Sequence, residues 1–275
     1  MSSLTSGYRS FPNPSPWPGR IRIALLGLAC LLFLSACVAP LPPYRAVPNF
    51  AAKSTHIESV TLVPPLVAVY AMSSGDIEQE VQDWSDDANE LAQSAVRTRI
   101  EALGKTFVPY AGTRGPRPDF RLGRENPARR LAAAGSDKAS DSWLLFESAK
   151  EAILRHTYDI TQAFPERIEK FDYTLGQDAA ALLGGTRADA FLLMTATDYV
   201  PTADRQALIG VGAAAFLYTG SYGGPGGTPA ELTAALIDSR TGDILWFNKV
   251  SMPLSDLRDP KANAALVDLV LKGIE

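Results

Sequence analysis

The sequence predicts an α/β fold, a mixed sheet flanked by helices, in which a C-terminal β-hairpin is followed by a helix. Three observations carry that prediction. An amphipathic helix spans Ser85 to Leu103, because Ala88, Leu91, Ala92, Ala95, Val96, Ile100 and Leu103 recur at spacings of three and four. Within Asp189 to Thr197, Ala190-Phe191-Leu192-Leu193-Met194 is uninterrupted apolar chain, as expected of a central strand covered on both faces. Glu231 to Asp238 and Asp243 to Ser251 are β-prone runs joined by Ser239-Arg240-Thr241-Gly242, a hairpin whose glycine supplies the positive φ of the turn. Asp259-Pro260 then provides an N-cap and a first-turn proline for a final helix to about Leu271.

The remaining elements fall between these. Ile57 to Met72 is rich in Val and Leu and reads as a strand region, with Pro64-Pro65 pushing part of it to an edge or a bulge. Gly104 ends the first helix, and Lys105 to Tyr110 is a short strand. Ser142 to Thr161 is a second helix with Leu145, Ala149, Ala152 and Ile153 on one side; His156 within it reads as a packing residue rather than a base or ligand. Thr174-Leu175-Gly176-Gln177 fits a capping box opening a short helix that stops at Gly184-Gly185. This order of elements indicates a single α/β domain over residues 56–275.

Two segments depart from the pattern. Residues 111–141 form a polar loop carrying Arg114, Arg117, Arg121, Arg124, Arg129 and Arg130, either a docking surface for an acidic protein or phosphates, or a solvated insertion. Residues 207–228 are an apolar, Gly/Ala-rich insertion. Its part from Ala207 to Tyr218 carries no charge, lacks the Gly-Lys-Ser/Thr of a phosphate loop, and does not alternate in polarity as a membrane β-strand would. It is either a buried element or an exposed flap meeting lipid or a partner through Phe216, Leu217, Tyr218 and Tyr222.

At the start of the chain, Arg20 and Arg22 precede the apolar run Ile23 to Leu34, and Leu34-Ser35-Ala36-Cys37 follows. Charge, apolar run and small residues in that order make an export signal. The last four residues resemble the lipobox of bacterial lipoproteins. The resemblance implies removal of residues 1–36, a lipid on Cys37 and attachment to a membrane through it. Val38 stands where an Asp marks inner-membrane retention in enterobacterial lipoproteins, so the implied destination is the periplasmic face of the outer membrane. A transmembrane anchor is the alternative, but the 17 uncharged residues Ile23 to Ala39 fall short of the ~20 a span needs. Pro40, Pro42 and Pro43 instead favour an extended tether over residues 37–55.

Processing would remove Arg9, Arg20 and Arg22 and no acids, moving the formal charge from -4 to -7. That balance argues against nucleic acid as a partner. Cys30 would leave with the signal and Cys37 would carry lipid, so no thiol remains for a disulfide, a metal or a nucleophile.

Gly184-Gly185-Thr186-Arg187-Ala188-Asp189-Ala190-Phe191-Leu192-Leu193 and, later, Ala235-Leu236-Ile237-Asp238-Ser239-Arg240-Thr241-Gly242-Asp243-Ile244-Leu245-Trp246 resemble the C-terminal half of the periplasmic α/β domains of the CsgG, TolB N-terminal and penicillin-binding-protein-activator lipoproteins. The ending Thr241 to Asn248 is also similar to that of uncharacterised lipoproteins. The resemblance implies a fold more than an activity, with an accessory role in envelope assembly, secretion or cell-wall synthesis. No segment matches the membrane-spanning hairpins of the curli secretion channel.

Enzyme chemistry has little support. Gly-x-Ser-x-Gly, Ser-x-x-Lys and His-Glu-x-x-His are absent, and His56 and His156 are the only histidines. Asp83, Asp86 and Asp87 cluster where acids favour a helix N-terminus, with too few neighbouring ligands for a metal. The sequence therefore indicates a non-enzymatic, lipid-anchored protein without a cofactor, binding another envelope component. An envelope hydrolase or sugar-modifying enzyme whose acids meet only in the fold, and a subunit of an oligomeric secretion pore, are the alternatives.

Overall fold

The computed structural model describes residues 42–75, 78–112, 138–159, 161–219, 229–253 and 255–275, with the backbone alone at 212, 213, 216, 218 and 219. In chain order the elements are β1 (Arg45–Ala46), α1 (Phe50–Ser54), β2 (Ser59–Leu62), β3 (Leu66–Met72), β4 (Glu78–Glu80), α2 (Gln82–Ala102), β5 (Thr106–Val108), α3 (Lys138–Ile153), α4 (Pro165–Lys170), β6 (Ala190–Pro201), α5 (Ala203–Thr219), β7 (Ala230–Asp238), β8 (Ile244–Met252) and α6 (Pro260–Val270). A π-helical turn, Leu154–Tyr158, extends α3, and a 3-10 helix covers Gln177–Leu183. The mixed, helix-flanked sheet is the one the sequence predicts.

β6 is its spine. Phe191, Leu192, Leu193 and Met194 are fully buried, so the apolar run is covered on both faces as expected. One edge of β6 pairs with β7 antiparallel, and β7 continues into β8 and then β1. The other edge pairs in parallel with β2 at Val60 to Leu62 and with β3 from Leu66 to Met72. Pro64-Pro65 falls between the stretches that β5 and β4 cover on the side away from β6, the edge position expected of it. It breaks one long strand path in two, and each half keeps its own partner along β6.

On the outer edge of β3, β4 pairs antiparallel with Tyr70 to Met72 only, and α2 serves the first half of the strand. Asn89 Oδ1 accepts from Val67 N at 3.2 Å while Asn89 Nδ2 donates to Val67 O at 3.2 Å and to Ser85 O at 2.7 Å. Ser85 Oγ accepts from Val69 N at 2.9 Å. These side-chain bonds replace a ladder, which buried backbone groups require. Ser85 and Asn89 sit inside the apolar face predicted for the helix, among buried Ala88, Ala92, Val96 and Ile100.

Helices cover both faces. On one, α2 and α6 are joined by Asn263 Nδ2 donating to Ala88 O at 3.2 Å, and Asn248 Nδ2 of β8 donates to Val270 O at 2.8 Å. On the other, Lys150 Nζ of α3 reaches Thr195 Oγ1 of β6 at 3.4 Å, and Tyr158 meets Phe247 edge-on, centroids 6.0 Å apart. Trp246 and Phe247 thus point to opposite faces of β8, and both are fully buried. A register shift between Leu236 and Ile237 interrupts their hairpin. Its turn needs glycine: Gly242 has φ +76°, and a Cβ there would lie 1.9 Å from Gly176 O.

Several local expectations change. The tether expected over 37–55 joins the fold from β1 onward: Arg45 and Ala46 pair with Phe247 and Trp246, and Phe50 is buried. The cause lies at the end of α3, where Arg45 Nε and Nη2 donate to Thr157 O at 3.1 and 2.6 Å and its guanidinium lies 4.3 Å from the Tyr158 ring centroid. A cation satisfying a C-terminal carbonyl is favourable on both hydrogen-bond and dipole grounds. Helix α3 starts at Lys138, not Ser142, and buries Phe146 and Ile153 while Leu145 stays exposed. Thr174 forms no capping box; it makes an isolated bridge with Asp243, and its Oγ1 accepts from Gly176 N at 3.0 Å. The arginines of the polar loop, 114 to 130, lie outside the described residues.

Candidate functional site

Sequence and structure converge on α5. Its first turn is pinned to the loop after β3. Asp204 Oδ2 accepts from Ser74 N at 3.0 Å, Thr202 Oγ1 donates to Asp204 Oδ1, and Arg205 Nη1 donates to Ser73 O at 3.1 Å. The hydrogen bonds from Thr202 and then Ser74 hold the Asp204 carboxyl well below its ordinary range, so the root of the helix stays charged. Arg205 is 4% exposed.

Beyond that root the chemistry changes. From Gln206 to Thr219 the helix carries no charged residue. Leu208 is 44%, Val211 66% and Leu217 83% exposed, and Ala214 and Ala215 are exposed beside them. At 100° per residue, Leu208 and Leu217 lie about 180° apart with Val211 and Ala214 between them, so the exposed apolar arc takes about half the circumference. Of the two readings open in the sequence, the element is a helix and this arc of it is exposed. Of the predicted contact residues, Leu217 lies on the arc; the side chains of Phe216 and Tyr218, and all of Tyr222, lie outside what is described, as does Cys37. Among the described residues no helix is long and apolar enough to cross a membrane.

The other candidate features offer less. A cleft of about 380 Å³ is lined by Arg155, His156, Thr161, Gln162, Ala163 and Phe164. His156 there packs edge-on against Phe164 and has Tyr173 Oη 3.4 Å from Nδ1. The neighbouring carboxylate, Asp159, accepts from Thr161 Oγ1 and N at 2.6 and 2.8 Å, bonds that hold its pKa down and leave it a weak base. No carboxylate lines the cleft. No group of three or more potential metal ligands occurs among the described residues, Asp83, Asp86 and Asp87 included.

Asp198 was not legible as a special residue. It is 1% exposed on β6, and its Oδ2 accepts from Leu257 N at 2.8 Å, tying down the loop before α6. In that loop Arg258 forks onto Asp256 at 2.9 and 2.7 Å and lies 4.2 Å from the Trp84 ring centroid. Burial raises the Asp198 pKa, and the nearby Asp256 charge adds to that rise against the opposing Leu257 amide and Arg258. A carboxyl with a raised folded-state pKa costs nothing below its ordinary value of 3.8, and the cost grows as pH climbs through the raised value. Asp198→Asn keeps the acceptor for Leu257 and removes that cost. Its thermal midpoint should exceed wild type at neutral pH, with the gain shrinking as pH falls toward 3.8. A gain independent of pH would contradict this account.

No family model matches the sequence, and no curated protein does. Among solved structures, the chain is similar to the PelC dodecamer from Paraburkholderia phytofirmans, with 13% identity over 84% of this chain and 94% of that one, at a TM-score of 0.32. A variant PelC dodecamer from the same organism gives 12% identity over 78% and 85%, at 0.30. At these values the likeness assigns neither a family nor an activity.

Proposed function

We propose that the protein is an envelope lipoprotein, acylated at Cys37, held at the periplasmic face of the outer membrane, and acting by binding another envelope component rather than by catalysis. The observation that carries the reading is the order Arg20, Arg22, the apolar run Ile23 to Leu34, and Leu34-Ser35-Ala36-Cys37. The exposed apolar arc of α5 supports a binding role, since contiguous exposed apolar surface commonly marks a contact site.

Cys37→Ser removes the thiol that would receive the lipid. The variant should accumulate as a longer, unacylated precursor and leave the outer-membrane fraction. Normal size and normal fractionation of that variant would refute the reading.

A further inference from the structure

We infer that α5 is a second membrane contact, entering the lipid leaflet in which the acyl chain of Cys37 would sit. The inference rests on the proposed lipid anchor and names a lipid surface as the occupant of the α5 arc.

β6 ends at Pro201, β7 begins at Ala230 and β8 ends at Met252 at one end of the sheet, and α5 leaves β6 there. β1 runs antiparallel to β8, so the chain enters the fold travelling away from that same end. Seven residues separate Cys37 from Arg45, a reach of at most about 28 Å over the eight steps between them. A lipid on Cys37 would hold Arg45, and with it the sheet, within that distance of the bilayer.

A surface helix packs on its own domain through an apolar stripe of ~100° or more; on α5 an apolar arc of about 180° is exposed instead. The stretch Gln206 to Thr219 is 14 residues, about 21 Å as a helix. That exceeds one leaflet, about half of the ~30 Å hydrocarbon core, and falls short of a span. The polarity is graded in the sense an inserting helix needs: Asp204, Arg205 and Gln206 sit at the root, and Leu217, the most exposed large apolar residue described, lies near the far end.

The test uses the full chain, matured in cells and reconstituted into phosphatidylethanolamine and phosphatidylglycerol vesicles. A Leu217→Cys variant carries an environment-sensitive fluorophore; Glu101→Cys, at the far end of α2, is the reference. The Leu217 label should shift to the blue, lose most of its intensity to lipids with nitroxide-bearing acyl chains, and resist iodide. The Glu101 label should respond to iodide alone. Iodide quenching at Leu217 in protein that carries its acyl mass would overturn the inference and leave the anchor standing. Protection from both quenchers would also overturn it, because a second copy or another protein surface would then cover the helix. Lipid quenching at Leu217 in protein without acyl mass would leave α5 as a membrane contact but refute the anchor, and with it the shared leaflet.

Discussion

Trp246→Ala should destabilise the domain by ~3–5 kcal/mol, because the indole is fully buried between β8 and the α2–α6 layer and its loss leaves a large cavity. For a domain of this size that corresponds to a fall in thermal midpoint of roughly 2–4 °C per kcal/mol. Trp246→Phe separates packing from polarity. Trp246 Nε1 has no hydrogen-bond partner among the described residues, so phenylalanine forfeits volume but no bond, and its cost should be well below that of alanine. Equal losses in the two variants, read by thermal or urea unfolding, would mean that the indole nitrogen is bonded in solution.

The second large effect is expected at Asn89. Asn89→Leu fits an apolar helix face by pattern alone, yet it would leave Val67 N and O without the paired amide that α2 supplies. Two orphaned buried backbone groups at ~1–3 kcal/mol each give an expected loss of ~2–6 kcal/mol. Backbone hydrogen exchange at Val67 and Val69 should accelerate locally in that variant, while the β7–β8 hairpin keeps its protection. A neutral or stabilising result would show that the edge of β3 finds another partner.

These two sites also show what was legible in the sequence and what was not. Trp246 could be placed because the hairpin is local: strand, turn, glycine and strand lie within 23 residues, and alternation assigns opposite faces to neighbours. The backbone partner of Asn89 is 22 residues away, and a polar residue in an apolar stripe reads as an interruption until that partner is known. The two-residue β1 escaped for the same reason. Nothing in a Pro-rich segment announces a strand, and Arg45 is held by Thr157 O, 112 positions along the chain. The short α4 was also missed, although Pro165 stands at its first turn.

The insertion at 207–228 was legible as chemistry and not as structure. Lack of charge identified it, but Gly210 and Gly212 and the absence of a clear period left both a buried helix or strand and an exposed flap open. Its exposure follows from neighbours that composition does not reveal: the ties to the loop after β3 come from Asp204 and Arg205 at the root. Cys37, in contrast, is a reading of sequence order alone, and the account of function depends on it.

The measurement that bears most directly on that account is the mass of the mature chain recovered from cell membranes. The account predicts a polypeptide beginning at Cys37, heavier than its residues by a diacylglyceryl and acyl group, with the added mass confined to the N-terminal peptide. A chain that retains residues before Cys37, or begins there without lipid, would contradict it.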